Sequence, residues 1–309
     1  MKLVSVRVNR GTILGLLSGD RIVNVARTYA AHFRDSRVLH LGSMHTFLEG
    51  GQEALDALRQ VAALAEEDPE RVFWISEPIG PTVPRPPKLF CLAGNYAEHI
   101  QEGGGEVLQK AETTPRVFMK PPSTTVIGHG DPIVIPRHGR WIDWEAELAV
   151  VIGRRGKHIS AQEALDYVAG YTILNDVSER QLAVPETRRP REGDRWFDWL
   201  NGKWCDTFAP MGPCLVTRDE IPDPQSLRIT LRVNGEVKQD ASTAQMIFTC
   251  AELIEWISRW ITLEPGDVIA TGTPAGVGRA RGEKLRPGDV VEVQIERIGT
   301  LSNPVIAEE

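Results

Sequence analysis

Short runs of apolar residues that alternate with polar ones dominate the chain beyond residue 88. Runs of this length, rich in β-branched and aromatic residues and bounded by glycine or proline, are typical of strands. They are LFCLAG, VFMK, PIVIP, ELAVVIG, GYTILND, LRITLRV, DVIATG and DVVEVQIERIG. The segment LRITLRVNGEVKQ also predicts a hairpin, because Asn234-Gly235 suits a type I′ turn. This part of the chain is therefore predicted to be β-rich.

Helical periodicity occurs in fewer places. Apolar residues recur at helical spacing around residues 52–65, and helices are also predicted at 161–168 and 249–261. Strands and helices together indicate an α+β fold in which β-structure predominates. Residues 184–204 follow neither period and are predicted to form a long loop. Loops of that length often carry function, and a solvated surface excursion is an equal alternative.

A proline-rich stretch separates the chain into two parts. Five prolines fall within EPIGPTVPRPPK, residues 77–88, so this stretch is stiff, extended and unsuited to a helix. We predict a small N-terminal α/β domain at residues 1–80, a linker at 81–88 and a larger domain at 89–309. The first domain is predicted to open with two short strands joined at residues 9–11.

Composition and charge narrow the class of protein. The chain has 309 residues, 41% hydrophobic and 25% charged, which is ordinary for a globular protein. A net charge of -7 and a pI near 5.6 argue against nucleic acid or an anionic membrane as the main partner. The four cysteines form no CxxC pair, and no stretch is long and apolar enough to span a membrane. We expect a cytoplasmic protein with reduced thiols.

The segment WIDWEAELAVVIG, residues 141–153, combines a strand pattern with an unusual density of acids. Alternate side chains of a strand point to opposite faces, so residues of one parity share a face. The even-numbered face is apolar and consists of Ile142, Trp144, Ala146, Leu148 and Val150. The odd-numbered face carries the carboxylates of Asp143, Glu145 and Glu147. Neighbouring carboxylates repel one another and lose hydration in a sheet, so positive charge close to this face would be needed to stabilise them.

A divalent cation would offset this repulsion directly. Mg²⁺ prefers carboxylate oxygens and usually retains several waters that a substrate can displace. A further ligand is available at Asp176, which follows the strand-like run GYTIL and Asn175. The alternative is that Asp176 caps the turn after that strand. From the residues alone, both interpretations stay open.

Several segments together carry a more specific signal than any one of them. They are GNYAEH (94–99), FMKPPS (118–123), DWEAELAVVIG (143–153), YTILNDVSER (171–180), NGKWCDTFAPMGP (201–213), VNGE (233–236), LEPGDVIATGTPAGVG (263–278) and LRPGD (285–289). In this order, over residues 89–303, the chain resembles the fumarylacetoacetate hydrolase superfamily, which includes acylpyruvate hydrolases and 2-hydroxyhepta-2,4-diene-1,7-dioate isomerases. The resemblance implies a β-rich roll or barrel of mixed strands after a small N-terminal domain, in a protein that is usually a homodimer.

The resemblance also implies a chemistry. The metal-binding positions of the family correspond to Glu145, Glu147 and Asp176, as ligands of Mg²⁺ or Mn²⁺. The substrate is expected to be a small 2-oxo acid. The first expectation is a hydrolase that cleaves a C–C bond of 2,4-dioxo acids, such as fumarylpyruvate, through an enolate held on the metal. The alternative is an oxaloacetate decarboxylase or a 2-hydroxyhepta-2,4-diene-1,7-dioate isomerase, which needs the same enolate.

Proton transfer in such a reaction needs a base. His99 and Glu102 lie three residues apart and would share a helix face, so Glu102 is predicted to orient His99 as a catalytic base. The glycines at 103–105 would end that helix and make it a candidate lid. Taken alone, the pattern more often belongs to a surface helix, but the resemblance favours the catalytic role.

The resemblance adds three residues to the predicted site. Lys203 is predicted to neutralise an oxyanion, with an ion pair to Asp206 or to a ligating acid as the alternative. Arg180 and Thr273 are predicted to hold a substrate carboxylate, and the alternative for Arg180 is a surface ion pair.

Two features depart from the family pattern. Ala183 stands where a substrate-binding glutamine is common, which weakens the expectation of a simple acylpyruvate substrate. The loop at 184–204 carries arginines that would bind a distal carboxylate of a larger substrate or pair with surface acids, namely Arg188, Arg189, Arg191 and Arg195. A binding protein with a degraded site is the alternative from another class, and the intact set of predicted site residues argues against it.

Overall fold

The computed structural model describes residues 1–9 and 11–309. Arg10, part of the predicted junction at residues 9–11, lies outside the described residues. The strands are β1 (Lys2–Val8), β2 (Gly11–Ser18), β3 (Arg21–Asn24), β4 (Trp74–Ile75), β5 (Leu89–Ala93), β6 (Arg116–Met119), β7 (Val126–Ile127), β8 (Ile133–Ile135), β9 (Ile142–Asp143), β10 (Ala146–Ile152), β11 (Val168–Asn175), β12 (Ser178–Glu179), β13 (Ala209–Thr217), β14 (Arg228–Val233), β15 (Glu236–Ser242), β16 (Val268–Ala270), β17 (Val290–Ile295) and β18 (Gly299–Ala307). The α-helices are α1 (Val25–His32), α2 (Met44–Glu67), α3 (Ala97–Glu102), α4 (Pro122–Thr125), α5 (Asp194–Asn201), α6 (Cys250–Trp260) and α7 (Gly278–Arg281).

Most strands join a single large sheet. Within the described residues, eleven strands form this sheet in the order β4-β3-β2-β1-β13-β11-β10-β16-β5-β6, with β7 paired to β13. Elsewhere in the described chain, five strands form a second sheet in the order β15-β14-β17-β18-β8, and β9 pairs with β12. The α+β, β-rich class predicted from the sequence is confirmed, and across residues 1–9 and 11–309 these sheets are open rather than closed into a barrel.

The N-terminal strands extend the large sheet. Strand β1 pairs antiparallel with β13, where Leu3 lies opposite Leu215. Helix α2 covers this part of the sheet, and its buried face packs with the strands in one hydrophobic cluster. The predicted division into a domain at residues 1–80 and another at 89–309 stays a prediction.

Strand β10 is buried on both faces. Leu148 and Val150 belong to one hydrophobic cluster, and Ala149 and Val151 belong to the other. A strand buried in this way must satisfy its backbone within the sheet, and β10 does so by pairing with β11 and β16. The alternation read from the sequence therefore matches the two faces of β10. Its acidic positions consequently enter the protein interior.

The hairpin β14–β15 has the predicted turn. Asn234 has a φ of 53° and Gly235 a φ of 81°, so both central residues adopt the positive φ that a type I′ turn requires. The hairpin also matters for the site, because Gln239 on β15 accepts a hydrogen bond from the backbone N–H of Ala146 at the start of β10.

Some helix predictions differ from the structure. Helices α2 and α6 cover the segments predicted at 52–65 and 249–261, but residues 161–168 contain only a 3₁₀ turn at Ala164–Tyr167 before β11 begins. A longer helix does not form there because the residues from Val168 onward belong to β11. No helix among the described residues is long and apolar enough to cross a membrane.

Helix α5 and strand β13 are among the elements that have no counterpart in the predictions. Helix α5 forms inside the predicted loop at 184–204, where the ring of Trp199 packs edge-on against Phe118, with ring centroids 4.9 Å apart. Strand β13 pairs with β1 and β11 although it contains Pro210 and Pro213, which disfavour an interior strand. Both elements depend on contacts with residues distant in sequence, which local periodicity does not encode.

Candidate active site

The antiparallel pair β10–β11 brings three acids together. Glu145 and Glu147 flank Ala146, which pairs with Asn175 at the end of β11. Asp176 follows directly, and its backbone N–H donates to the Glu145 carbonyl oxygen at 2.9 Å. One carboxylate oxygen from each of Glu145, Glu147 and Asp176 lies within 4.8 Å of the others, and all three residues are buried. These residues are called the acidic triad below.

Two buried lysines contact the acidic triad. Lys203 Nζ lies 2.8 Å from Glu145 Oε2 and 2.5 Å from Asp176 Oδ2. Lys120 Nζ lies 2.5 Å from Asp176 Oδ1 and donates to the Val177 carbonyl oxygen at 2.9 Å. Lys203 therefore forms an ion pair with two acids of the triad, which agrees with one of the alternatives for this lysine. Lys120 is not among the residues predicted from the sequence, although it lies in the motif FMKPPS.

The guanidinium of Arg180 lies against two acids of the site. Its Nε donates to Asp143 Oδ2 at 2.9 Å, and a terminal nitrogen donates to Glu145. Asp143 also accepts a hydrogen bond from the Gly278 backbone N–H at 2.6 Å. Asp143 is therefore held by Arg180 and the backbone, outside the triad. The binding of a substrate carboxylate by Arg180 stays a prediction.

The electrostatic environments of the two glutamates differ. Burial by itself would raise the pKa of Glu145, but the charges of Lys203 and Arg180 outweigh burial and hold this pKa well below its usual range. Burial, reinforced by the charges of Asp176 and Glu145, raises the pKa of Glu147 well above its usual value. Of the two glutamates, Glu147 is therefore the one that needs a further cation to remain ionised.

The donor set fits a divalent cation. Among the described residues of this region, four buried acids lie beside two buried lysines and the nearly buried Arg180; the acids are Asp143, Glu145, Glu147 and Asp176. Negative charge therefore exceeds positive charge in the interior, and a bound cation would offset the excess. Glu147 Oε2 accepts from the Gly272 backbone N–H at 2.7 Å, whereas Glu147 Oε1 has no hydrogen-bond partner among residues 1–9 and 11–309. Carboxylate oxygens are the ligands that Mg²⁺ and Mn²⁺ prefer.

His99 and Glu102 make the contact that their spacing predicts. Both lie on α3, and His99 Nδ1 is 2.7 Å from Glu102 Oε1. The helix ends at Glu102, and Gly104 beyond it has a φ of 75°, so the glycine run terminates α3. The predicted movement of α3 as a lid stays a prediction.

The loop at residues 271–278 connects this pair to the triad. Near its start, the Gly272 backbone N–H donates to Glu147. Towards its end, the Gly276 backbone N–H donates to Glu102 Oε2 at 2.8 Å. The acid that orients His99 and an acid of the triad are therefore fixed by the same short loop.

Thr273 lies buried within this loop. Its Oγ1 is 2.9 Å from Nε2 of the buried Gln239. The preceding Gly272 has a φ of 92°, and a Cβ at that position would approach the Cβ of Asn95 to 2.8 Å. Only glycine fits there without displacement, so the path of the loop beside the triad is closely determined.

Aromatic rings cover Lys203 from the side of α5. The ring centroids of Phe118 and Trp199 lie 5.2 Å and 5.4 Å from Lys203 Nζ. Trp196 stacks on Trp199 at 4.9 Å, with Trp196 itself half exposed. Helix α5 thus shields one side of the site, whereas residues 184–193 of the same segment are mostly exposed.

The arginines of this segment divide into two kinds. Arg188 pairs with Asp194 and Asp198, at 2.9 Å in each case, and Arg191 pairs with Asp194 at 3.2 Å. For these two arginines, the structure agrees with the alternative of pairing with nearby acids. Arg189 and Arg195 are exposed.

The structure groups the predicted site residues without testing their roles. Five of them form one cluster, namely Glu145, Glu147, Asp176, Lys203 and Arg180. The others, His99, Glu102 and Thr273, adjoin the loop at 271–278. Lys120 and Gln239 complete the cluster but were not predicted. The one available signal was their presence, as polar residues, next to strand-like runs that pack into the interior.

Comparisons with known proteins identify the family. A family model described as fumarylacetoacetate (FAA) hydrolase C-terminal matches residues 88–306. A mitochondrial oxaloacetate tautomerase of Bos taurus is 44% identical over 270 residues, covering 85% of this chain and 80% of the relative. A mitochondrial oxaloacetate tautomerase of Rattus norvegicus is 42% identical with the same coverage of 85% and 80%. The structure of a maleylpyruvate hydrolase from a Sphingobium species, in complex with manganese(II) and pyruvate, is 26% identical and superposes with a TM-score of 0.74 over 100% of both chains.

These relatives correct one expectation and qualify another. The expectation of a cytoplasmic protein is wrong, because the tautomerases are named as mitochondrial. Net charge and scattered thiols could not separate the cytoplasm from another reducing compartment. The hydrolase expected first is not confirmed, since the relatives named as tautomerases favour the alternative. The family model covers most of the chain and these relatives are 42% and 44% identical, so the chain belongs to the fumarylacetoacetate hydrolase family of enzymes.

Proposed function

We propose that this protein is a divalent-metal-dependent tautomerase that interconverts the keto and enol forms of a 2-oxo dicarboxylic acid such as oxaloacetate. The observation that carries this proposal is the His99–Glu102 pair, linked to the acidic triad by the loop at residues 271–278. A tautomerase needs a group that moves a proton at carbon and positive charge that favours the enolate. The relatives named oxaloacetate tautomerases support the substrate class.

His99 would move the proton. Glu102 takes the hydrogen bond from Nδ1–H, which leaves Nε2 as the basic atom. In the keto-to-enol direction, Nε2 removes a proton from C3 of the substrate, the C–H electron pair forms the C2–C3 double bond, and the carbonyl π pair moves to the C2 oxygen. The imidazolium then returns that proton to the C2 oxygen. One proton passes from carbon to oxygen, and no other reactant is consumed.

Positive charge in the site favours the enolate. Burial by itself would lower the pKa of Lys203, but the charges of Asp176 and Glu145 outweigh burial and raise it, so Lys203 keeps its charge at neutral pH. A divalent cation held by Glu145, Glu147 and Asp176 would supply Lewis-acid stabilisation of negative charge on the carboxylate and 2-oxo oxygens of the substrate.

A hydrolase that cleaves a C–C bond of 2,4-dioxo acids is the second candidate. The observation that favours it is the likeness to the maleylpyruvate hydrolase over the whole chain. This reaction would require His99 to activate an attacking water, in addition to the same enolate. The tautomerase is preferred because the pair then only moves one proton from carbon to oxygen, without an attacking water, and because the relatives of higher identity carry that name.

The test follows the absorbance of enol-oxaloacetate as metal-stripped protein receives Mg²⁺ or Mn²⁺, with pyruvate measured in the same samples. We expect metal-dependent equilibration of the enol and keto forms without release of pyruvate. Release of pyruvate from oxaloacetate would instead indicate a decarboxylase. Cleavage of acetylpyruvate or fumarylpyruvate, with oxaloacetate equilibrating only at the rate seen with free Mn²⁺, would indicate the hydrolase.

The ion and the assembly are also proposals. We expect Mg²⁺ or Mn²⁺ to restore activity to stripped protein, because the triad offers only carboxylate oxygens. We expect a homodimer, which light scattering would detect as twice the chain mass of 34.3 kDa. A mass equal to one chain at the assay concentration would contradict this expectation.

A further inference from the structure

The buried amide of Gln239 connects the two parts of the site. Gln239 lies on β15 of the second sheet, yet its side chain reaches the large sheet. Its Oε1 accepts from the Ala146 backbone N–H at 3.0 Å. Its Nε2 donates to Thr273 Oγ1 at 2.9 Å and to the Pro274 carbonyl oxygen at 2.7 Å. Ala146 separates Glu145 from Glu147, so one amide ties the triad to the loop that carries Thr273.

The partners of this amide determine which way it points. The Ala146 backbone N–H can only donate and the Pro274 carbonyl can only accept. Oxygen must therefore face Ala146, and nitrogen must face Pro274 and Thr273. It follows that the hydroxyl of Thr273 accepts a hydrogen bond from Gln239.

This arrangement leaves the hydroxyl proton of Thr273 without a protein acceptor. Within residues 1–9 and 11–309, the Thr273 hydroxyl takes part in no hydrogen bond other than the one it accepts from Gln239. Thr273 is buried, so bulk water does not readily accept a hydrogen bond from its hydroxyl. A buried donor without an acceptor is costly, and a substrate oxygen placed there would remove that cost.

We propose that Gln239 is a positioning residue that fixes the Thr273 hydroxyl as a hydrogen-bond donor to the carboxylate of a 2-oxo acid. The inference rests on the proposed function only in taking a 2-oxo acid as the ligand of this site. Gln239 does not touch the substrate. It acts by occupying the acceptor side of Thr273, which directs the proton towards the ligand.

The test is a double-mutant cycle on ligand binding, with pyruvate titrated calorimetrically into Mn²⁺-loaded protein. Thr273→Val removes the hydroxyl at nearly constant volume, and we expect pyruvate affinity to fall about tenfold or more. Gln239→Met removes the amide and frees the Thr273 hydroxyl to rotate. This variant is expected to weaken pyruvate binding about fivefold to tenfold. The double variant should be no weaker than Thr273→Val alone, because Gln239 acts only through that hydroxyl.

Matched variants separate positioning from a structural role. Thr273→Ser keeps the hydroxyl and should retain most of the affinity. Asp240→Asn changes the exposed neighbour on β15, which pairs with Arg228, and should leave pyruvate binding unchanged. If Gln239→Met does not fold, Gln239→Glu accepts from Ala146 but cannot donate to Thr273 when ionised. Its charge also repels the anionic ligand, so the expected result is a loss of pyruvate affinity that is smaller in the Thr273→Val background than in the unaltered protein.

The outcomes distinguish this inference from the proposed function. Additive losses in the double variant, or unchanged pyruvate affinity in Gln239→Met with Mn²⁺ bound, would overturn the role of Gln239. Coupled losses in a protein that does not equilibrate oxaloacetate would support the role of Gln239 while rejecting the tautomerase. The pyruvate titration needs no turnover, so the two results are independent.

Discussion

The two ends of the strand pair β10–β16 both bury acids beside lysine, but they balance charge differently. At the end near the linker, buried Asp267 accepts from the Glu264 backbone N–H at 2.8 Å, and Lys88 Nζ lies 2.9 Å from the same carboxylate. At the other end, β10 begins between Glu145 and Glu147, and β16 runs into the loop at 271–278. The first end is a turn whose buried acid is paired with Lys88, and the second end carries the acidic triad.

The comparison shows that an unpaired oxygen alone does not identify a functional site. Asp267 Oδ1, like Glu147 Oε1, has no hydrogen-bond partner among the described residues. What differs is where the unbalanced negative charge lies. Lys88 pairs with the buried Asp267, and the second acid at that end, Glu264, is exposed, whereas the triad keeps excess negative charge in the interior. Excess buried charge is costly to a folded chain, so its presence indicates a binding site for a cation.

The largest expected effect comes from removing one charge at each end. Glu147→Gln should abolish stoichiometric Mn²⁺ binding and lower turnover by about 10³-fold or more, since the cation supplies several kcal/mol of stabilisation. Asp267→Asn should bind Mn²⁺ like the unaltered protein. Calorimetric titration with Mn²⁺ measures both. Stoichiometric, tight Mn²⁺ binding by Glu147→Gln would remove Glu147 from the ligand set.

The next effect concerns the proton-transfer pair. His99→Gln should lower turnover about 10²-fold or more while Mn²⁺ binding persists, because the base is lost and the triad is not. Glu102→Gln should cost less, because His99 remains but loses its charged partner. Exposed Glu98 on the same helix offers the control Glu98→Gln, with unchanged rates expected. Near-normal turnover in His99→Gln would exclude His99 as the base.

Added Mn²⁺ should stabilise the protein through the triad alone. At a free concentration of about 100 times Kd, binding contributes about 2.7 kcal/mol to the free energy of unfolding. Thermal unfolding should therefore shift upwards with Mn²⁺ in the unaltered protein and in Asp267→Asn, but not in Glu147→Gln. A shift of equal size in Glu147→Gln would mean that Mn²⁺ stabilises the fold from somewhere else.

The smallest effects should have opposite signs at the two ends when no metal is added. Burial raises the pKa of Asp267 too, but within the described residues no neighbouring acid of the interior adds to it as at Glu147, and Lys88 contacts its charged form. Asp267→Asn should therefore lower the free energy of unfolding by about 1–2 kcal/mol, because Lys88 loses a charged partner. Glu147→Gln should leave it unchanged or raise it, because burial and neighbouring acids already disfavour the charge of Glu147. Chemical denaturation of stripped protein gives both values. Equal destabilisation by the two substitutions would remove the distinction drawn between the two ends.

Local patterns determined much of this protein directly. The alternation along residues 141–153 predicts that Glu145 and Glu147 share a face, because the period of a strand is two. The three-residue spacing of His99 and Glu102 on a helix predicts the contact between them. The dipeptide Asn234-Gly235 predicts the type I′ turn that joins β14 to β15. Each of these depends only on residues a few positions apart.

Tertiary structure decided the rest. Tertiary packing brings Lys120, which follows β6, to Asp176, which follows β11, although three strands separate β6 from β11 in the large sheet. The packing of one sheet on another brings Gln239 to Ala146 and Thr273. Helix α5 likewise depends on Phe118, which lies far away in the sequence. Periodicity assigns a residue to a face of its own element. Which distant element meets that face is decided only when the whole core is packed and its buried charges are balanced.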